Sequence, residues 1–245
     1  MTTNVGVLGA AGRMGSTVCE AVMKDLELEL VARIDEDDPL DALVELGASV
    51  AIDFTIPGAV KENVRFCLEN NIHAVVGTTG LTSDDLTEIE KWATESAANC
   101  FVAPNFAIGA VLMMQFAAKA TPYFASAEII ERHHERKLDA PSGTALRTAE
   151  LMNEARSEAW LEPDDETETL QGSRGGRSEG IRIHAVRAPG YVAHQEVVLG
   201  APGETLTIRH DSIDRISFMP GVLLAVKRVA DLPGLTVGLE HLLDL

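Results

Sequence analysis

Between Glu131 and Ala145 the chain reads Glu131-Arg132-His133-His134-Glu135-Arg136-Lys137-Leu138-Asp139-Ala140-Pro141-Ser142-Gly143-Thr144-Ala145, its densest polar cluster. Histidine is the side chain best placed to exchange protons near neutral pH. Lys137 adds a fixed cation. Pro141-Ser142-Gly143-Thr144 has the composition of a helix start, whose N–H groups could hold a carboxylate. The spacing fits an anion-and-proton site, and equally fits a solvated basic turn after a strand. Adjacent strand residues point to opposite faces, so His133 and His134 share one pocket only if the chain leaves its ladder there. A metal centre fits less well, because no Cys or carboxylate is paired with the histidines at ligand spacing.

A second chemical signal lies near the N-terminus, in the turn Gly9-Ala10-Ala11-Gly12-Arg13-Met14-Gly15. It follows the strand-like run Val5–Leu8 and opens a helical pattern, the context in which a glycine turn holds a pyrophosphate. Gly9 would permit the tight turn, Gly12 the approach of backbone to phosphate, and Gly15 close packing of helix on strand. The spacing G-x-x-G-x-x-G departs from the commoner G-x-G-x-x-G, and a ligand-free strand–helix turn is the alternative reading. Asp35 raises the odds of a dinucleotide. It ends the apolar run Leu28–Ile34, twenty positions after Gly15, where a carboxylate accepts hydrogen bonds from adenosine ribose hydroxyls. That placement favours NAD, since a 2′-phosphate would meet the carboxylate, while Arg13 and Arg33 keep NADP open. Asp37 and Asp38 read as a solvated acidic turn. Gly77-Thr78-Thr79-Gly80 and Pro104-Asn105-Phe106 follow two later strand-like runs and could face the nicotinamide ribose and carboxamide.

The elements that must position these groups divide into two textures. Val5–Leu8, Leu28–Ile34, Ala51–Phe54, Ala74–Val76 and Cys100–Ala103 are short apolar runs, with helical patterns near 13–23, 39–46, 58–70 and 83–97 between them. Mostly apolar strands alternating with helices predict a doubly wound parallel Rossmann-type α/β sheet. Thr82-Ser83 followed by Asp84 and Asp85 reads as a helix start. After Pro104 the pattern changes to a helix over Ile108–Thr121, a strand over Glu128–Arg132 and a helix near 144–156. Residues 161–180 lack periodicity and read as a mobile surface loop, with Arg174 and Arg177 near anionic ligands as a lesser alternative. The runs Ile181–Val186, Val192–Leu199 and Glu204–His210 alternate as strands, which predicts a second α+β domain on a mixed, largely antiparallel sheet; residues 214–230 are helical.

Composition sets outer limits. The chain has 245 residues, 46% hydrophobic and 24% charged, with a formal charge of −18. That charge argues against nucleic acid or an anionic membrane as partner, because phosphate binding needs clustered Lys and Arg. No apolar run is long enough to span a bilayer, no leader pattern opens the chain, and cytoplasm is the expected compartment. Cys19, Cys67 and Cys100 are scattered and odd in number, as small core residues would be.

With these motifs in hand, the sequence resembles the 4-hydroxy-tetrahydrodipicolinate reductase (dihydrodipicolinate reductase) family of the diaminopimelate–lysine pathway, essentially end to end. The resemblance rests on Val7–Gly15, Asp53-Phe54-Thr55, Gly77–Gly80, Ala103–Phe106 and above all Glu131-x-His133-His134-x-x-Lys137-x-Asp139-x-Pro141-Ser142-Gly143-Thr144-Ala145. His194, Arg215, Phe218 and Gly221 also fit. It implies reduction of a cyclic unsaturated dicarboxylate by NADH, NADPH or both. His133 is then the acid/base, Lys137 a proton donor or carboxylate partner, and His134, Gly143 and Thr144 bind substrate. Gly9, Ala10, Ala11, Gly12, Arg13, Met14, Asp35, Gly77, Thr78, Thr79, Ala103, Pro104, Asn105 and Phe106 line the dinucleotide. The resemblance further implies a dinucleotide-binding domain of residues 1–104 with 216–245, a substrate-binding and oligomerisation domain of 105–215, and a homotetramer. Many of the family carry Glu-Arg where this chain has Asp35-Glu36, a departure that bears on NADP. A semialdehyde or homoserine dehydrogenase and a non-catalytic NAD sensor are the rival readings. The cluster lacks the thiol a thioester-forming dehydrogenase needs, and a sensor has no use for His133, His134 and Lys137 beside a helix start.

Overall fold

The computed structural model describes residues 2–161 and 165–243. The chain forms two compact units, one of Met1–Ile108 with Arg215–Leu245 and one of Gly109–Asp214.

In the first unit, strands β1 (Thr3–Leu8), β2 (Leu28–Ile34), β3 (Val50–Asp53), β4 (His73–Val76) and β5 (Cys100–Val102) alternate with helices α1 (Arg13–Lys24), α2 (Asp41–Glu45), α3 (Val60–Glu69) and α4 (Ser83–Glu95). All the strands pair in parallel, in the order β2-β1-β3-β4-β5. The order reverses between β1 and β3, so the loops leaving those strands diverge and open the crevice where such sheets bind ligands. Strands β3 and β5 are buried along their whole length, which is why they read as unbroken apolar runs. Leu8, Ile34, Leu43, Val60, Val64 and Ile89 fill the core on which α2, α3 and α4 pack. The start signal at Thr82 is realised as a capping box. The Asp85 N–H donates to Thr82 Oγ1 at 3.2 Å, and the Thr82 N–H donates to the Asp85 carboxylate at 2.9 Å.

The sequence reading missed a sixth strand here. Leu235–Val237, the last strand of the chain, adds in parallel to β5. Three residues behind Pro233-Gly234 are too few to show a period, and register with β5 alone makes them a strand. Helix α7 (Met219–Arg228) belongs to the same unit, and its Gly221 lies so close to Phe106 that a Cβ would sit 2.1 Å from the Phe106 carbonyl oxygen.

In the second unit, helix α5 (Ile108–Ala120), which starts at the boundary residue, leads to β6 (Ser126–His133), α6 (Gly143–Glu154), β7 (Gly176–Ser178), β8 (Ile181–Arg187), β9 (Ala193–Ala201) and β10 (Glu204–Ser212). We number the strand Leu235–Val237 β11. The sheet order is β10-β9-β6-β8-β7, with only β6 and β8 parallel. Mixed and largely antiparallel pairing is therefore what the alternating runs led one to expect. Alternation along β6 turns Ala127, Ile129 and Glu131 to one face, where Ile181, Ile183, Val197 and Leu199 join them. Helix α6 covers that face through Ala145, Ala149 and Met152, spaced as one helical stripe.

The reading of 161–180 as a mobile loop needs correction. Residues 162–164 lie outside the described residues, but the rest is tied down. Glu166 bonds Arg174 at 2.8 Å and Arg182 at 3.0 Å, and Arg174 reaches Glu128 on β6 at 2.5 Å. Residues 176–178 form β7 against β8. Glu166 and Glu168, two of the acidic residues that suggested a solvated segment, are partners that pin it. Arg174 is thus committed to Glu128 and Glu166 and is not held out for an anionic ligand.

Candidate active site

At the carboxyl end of β1 the chain turns at Gly9, whose φ of +74° lies in the left-handed region that glycine enters at little cost. The Gly9 N–H still donates to the Ile34 carbonyl (2.8 Å), and the Gly12 N–H closes the turn on the Gly9 carbonyl (3.0 Å). Gly12 then caps α1 without a side chain to bond the helix's first N–H groups, which lie at the positive end of the helix dipole. A Cβ on Gly15 would lie 2.0 Å from the Gly9 carbonyl oxygen, the close packing expected of it. These features fit a pyrophosphate, and Gly9 to Met14 would hold one. Asp35, however, is not simply waiting for a ribose. Both of its carboxylate oxygens accept from the Ala11 N–H at 3.0 Å, and its own N–H donates to Asp38 at 2.9 Å. Asp38 is therefore a backbone cap rather than a merely solvated charge.

The loops after β3, β4 and β5 are stitched by residues the candidate set left out. Asp53 is buried, and its carboxylate accepts from Thr55 Oγ1 (2.7 Å), Thr78 Oγ1 (2.6 Å), Asn63 Nδ2 (2.8 Å) and the Thr55 N–H (3.0 Å). Gly77 and Thr78 N–H groups donate to its carbonyl. Phe54 packs where a Cβ on Gly77 would stand, 2.2 Å from its ring, and pairs with Phe106 at 6.0 Å between centroids. Gly77, Thr78 and Thr79 are thereby brought beside the turn of β1. Ala103 and Phe106 are buried, so they can line a cofactor mainly by holding the exposed Pro104 and the backbone around Asn105, whose Oδ1 accepts from the Ala107 N–H at 2.8 Å. The sequence did carry a signal for Asp53 and Phe54, the Asp53-Phe54-Thr55 motif itself.

In the second unit, β6 ends at His133 and the chain leaves the ladder, so His134 is freed from strand alternation. His134 Nδ1 accepts from the Arg136 N–H (3.2 Å), and its carbonyl from the Lys137 N–H (3.2 Å), closing a turn. That turn carries Lys137 Nζ to the Asp139 carboxylate at 2.8 and 2.9 Å, so the lysine already has an acidic partner. Lys137 in turn holds the Asp139 carboxyl below its ordinary value. Gly143 opens α6, Ser142 caps it by accepting from the Ala145 N–H at 3.2 Å, and a Cβ on Gly143 would meet nothing within 4 Å. His194 lies elsewhere. It pairs in register with Arg132, on the face of β6 opposite His133, and holds Asp211 at 2.6 Å.

Two charged residues of this site were not among the candidates. Glu131 is fully buried and stands two positions before His133, on the same face, with its Oε2 2.5 Å from His133 Nδ1. Arg187, at the end of β8 and in register with His133, clamps both Glu131 oxygens at 2.7 Å and also donates to the Asp139 carbonyl at 2.7 Å. The Ser142 N–H donates to Glu131 Oε1 at 3.1 Å, joining the start of α6 to the strand. Burial alone would push the Glu131 carboxyl up; hydrogen bonds from His133 and Arg187 outweigh it and bring it to about 2. Because that value lies below the carboxyl's ordinary 4.5, Glu131 stabilises the fold above 4.5 and loses this contribution as pH falls toward 2. The stability gap between the native chain and Glu131→Gln is expected to narrow across that interval in urea melts at stepped pH. A gap that ignored pH there would mean the carboxylate is not ion-paired.

The three cysteines are free and buried, and burial pushes the Cys67 thiol up to about 12, so none is a poised nucleophile. Among the described residues no group of three His, Cys, Asp or Glu side chains is placed to hold a metal ion, and no helix is long and apolar enough to cross a membrane.

Comparison with known proteins agrees over both units. Residues 3–106 match the family model "Dihydrodipicolinate reductase, N-terminus" and residues 109–243 match "Dihydrodipicolinate reductase, C-terminus". The chain is 55% identical to a 4-hydroxy-tetrahydrodipicolinate reductase of Corynebacterium aurimucosum, covering 100% of both chains. It is 54% identical to that of Mycobacterium marinum, over 98% of this chain and 99% of the other. A dipicolinate-bound dihydrodipicolinate reductase from Paenisporosarcina superposes with a TM-score of 0.91 at 42% identity, covering 99% of this chain and 100% of that one.

Proposed function

Since the chain belongs to the dihydrodipicolinate reductase family, we propose that it reduces 4-hydroxy-tetrahydrodipicolinate to tetrahydrodipicolinate in diaminopimelate and lysine biosynthesis, with His133 as general acid. One observation supports this most: a histidine whose Nδ1 is engaged by a buried carboxylate, beside the exposed, uncrowded Gly143 at the start of α6. A pyridine nucleotide supplies the hydride when bound, and Gly9 to Met14, Asp35, Gly77 to Thr79 and Ala103 to Phe106 would hold it. Asp35 and Glu36 favour NADH, and the exposed Arg13 and Arg33 are the cations that could receive the 2′-phosphate of NADPH.

The ring carbon conjugate to the hydride acceptor needs a proton. His133 would give it from Nε2, the nitrogen that Glu131 does not engage. Lys137 and the N–H groups of Gly143 and Thr144 would hold a substrate carboxylate, with His134 beside them. The homotetramer would form on the face of the second unit's sheet that α6 leaves uncovered, where Glu128, Ile130 and Arg132 are only half-buried; a protomer that sediments alone would exclude it.

The test is cofactor oxidation with substrate generated in situ by the preceding synthase. Oxidation is expected with NADH at a higher kcat/KM than with NADPH. No oxidation with either cofactor would overturn the function, and a preference for NADPH would overturn the role given to Asp35.

A further inference from the structure

Neither the candidate residues nor the family resemblance gives Glu131 or Arg187 a task. A carboxylate in the interior is costly unless it is paired and fully hydrogen-bonded, and a residue of this kind on an otherwise apolar strand face calls for a reason. Ala127 and Ile129 precede it on that face, with Val197 and Leu199 beside them. Four contacts satisfy Glu131: two from Arg187, one from the Ser142 N–H and one with His133. Three of these belong to protein scaffold. The fourth is the ring that the reading above makes the acid.

We propose that Glu131 is the positioning residue for His133: it fixes the ring with its proton on Nδ1 and turns Nε2 outward, while Arg187 keeps the carboxylate ionised and in place. This rests on His133 being the acid. Arg187 supplies a two-pronged grip on Glu131, so the carboxylate has no rotational freedom to release the ring. An ionised carboxylate only accepts, so the 2.5 Å contact requires the N–H on Nδ1. A neutral ring held this way offers Nε2 as acceptor, and the protonated ring offers Nε2–H as donor. In reduction the Nε2–H bond breaks and its proton passes to the substrate carbon. The ring returns to the neutral Nδ1–H form, still bonded to Glu131, and regains the Nε2 proton from solvent. Because the Ser142 N–H binds the other oxygen of the same carboxylate, the acid and the Gly143/Thr144 anion-binding turn are set by one group.

The experiment combines nitrogen NMR of the histidine rings in the native full-length protein with a double-mutant cycle. Assigned by its loss in His133→Gln, the neutral His133 ring is expected to show the Nδ1–H form in the native chain. In Glu131→Gln, whose amide can donate to Nδ1, the Nε2–H form is expected to appear. Steady-state kinetics should show kcat of Glu131→Gln down by ~10²-fold, within the range of general-acid effects, with KM changed less than ~3-fold, since the amide oxygen can still accept from the Ser142 N–H and hold the anion-binding turn. Glu131→Asp should restore part of kcat. The double variant Glu131→Gln/His133→Gln should be no slower than His133→Gln alone, because a residue acting through His133 has nothing left to act on. An Nε2–H ring in the native protein overturns the proposal even if every Glu131 variant fails to fold. Additive losses in the cycle would reduce Glu131 to a structural ion pair. If His133→Gln itself keeps native turnover, it is the acid assignment that fails.

Discussion

Replacing His133 by alanine is expected to lower kcat by about 10²- to 10⁴-fold while leaving dinucleotide affinity unchanged, read by steady-state kinetics and a binding titration. The magnitude is that of a lost general acid, in which water must supply the proton without fixed geometry. Several features of the site make a large value expected. The ring is held between strand and helix by a buried carboxylate, its neighbour on β8 is a cation bound to that carboxylate, and the chain departs from the ladder immediately after it. Dinucleotide affinity should persist because the glycine turn and the Asp53 network lie wholly in the other unit. Near-native turnover in His133→Ala would remove the acid role, and with it the reason for burying Glu131. The assay should follow turnover over a range of substrate concentrations, so that a KM effect from altered packing near Gly143 is not mistaken for lost chemistry.

The second large effect is expected from a single methyl group. Gly15→Ala places a Cβ 2.0 Å from the Gly9 carbonyl oxygen and 2.7 Å from its carbon, both backbone atoms of the turn. No rotamer change relieves such a clash; α1 must move off β1 or the turn must open. Overpacking of this kind costs about 1–3 kcal/mol. If the turn opens, its N–H groups lose their aim, and each ~1.4 kcal/mol lost from the bound state weakens the dinucleotide tenfold. Thermal melts and NADH titrations on the same sample measure both parts. A variant with native stability and native NADH affinity would show that the helix can shift without cost and that the turn is not the phosphate site.

Much of the first unit was legible because parallel strands covered on both faces must be apolar along their length. The runs from Val5, Ala74 and Cys100 could hardly be anything else, whereas β2, at the sheet's edge, exposes Glu29 and Arg33. β11 was not legible, since three residues carry no period and only its neighbour defines it. In the site, residue type announced His133 and Lys137, but nothing local announced Arg187, which meets Glu131 from 56 positions away through a parallel pairing that the chain must fold to create. Glu131 did leave a trace. On the alternating strand Ala127, Ile129, Glu131 it occupies an inward position, and a charge at an inward position implies a buried partner. The tethering of 161–180 was hidden for the converse reason: its acidic residues look solvated until their arginines are placed.

The grip of Asp35 on the Ala11 N–H makes the glycine turn a seat with an occupant of its own. The carboxylate does for one amide of the turn what a phosphate oxygen would do, so cofactor arrival would be an exchange of partners rather than a folding event. The same side chain that would refuse a 2′-phosphate is therefore also a brace of the turn. An attempt to recast the chain for NADPH by exchanging Asp35 for a cation would remove the brace together with the barrier. On the proposed preference for NADH, cofactor choice and the shape of the glycine turn would rest on one side chain.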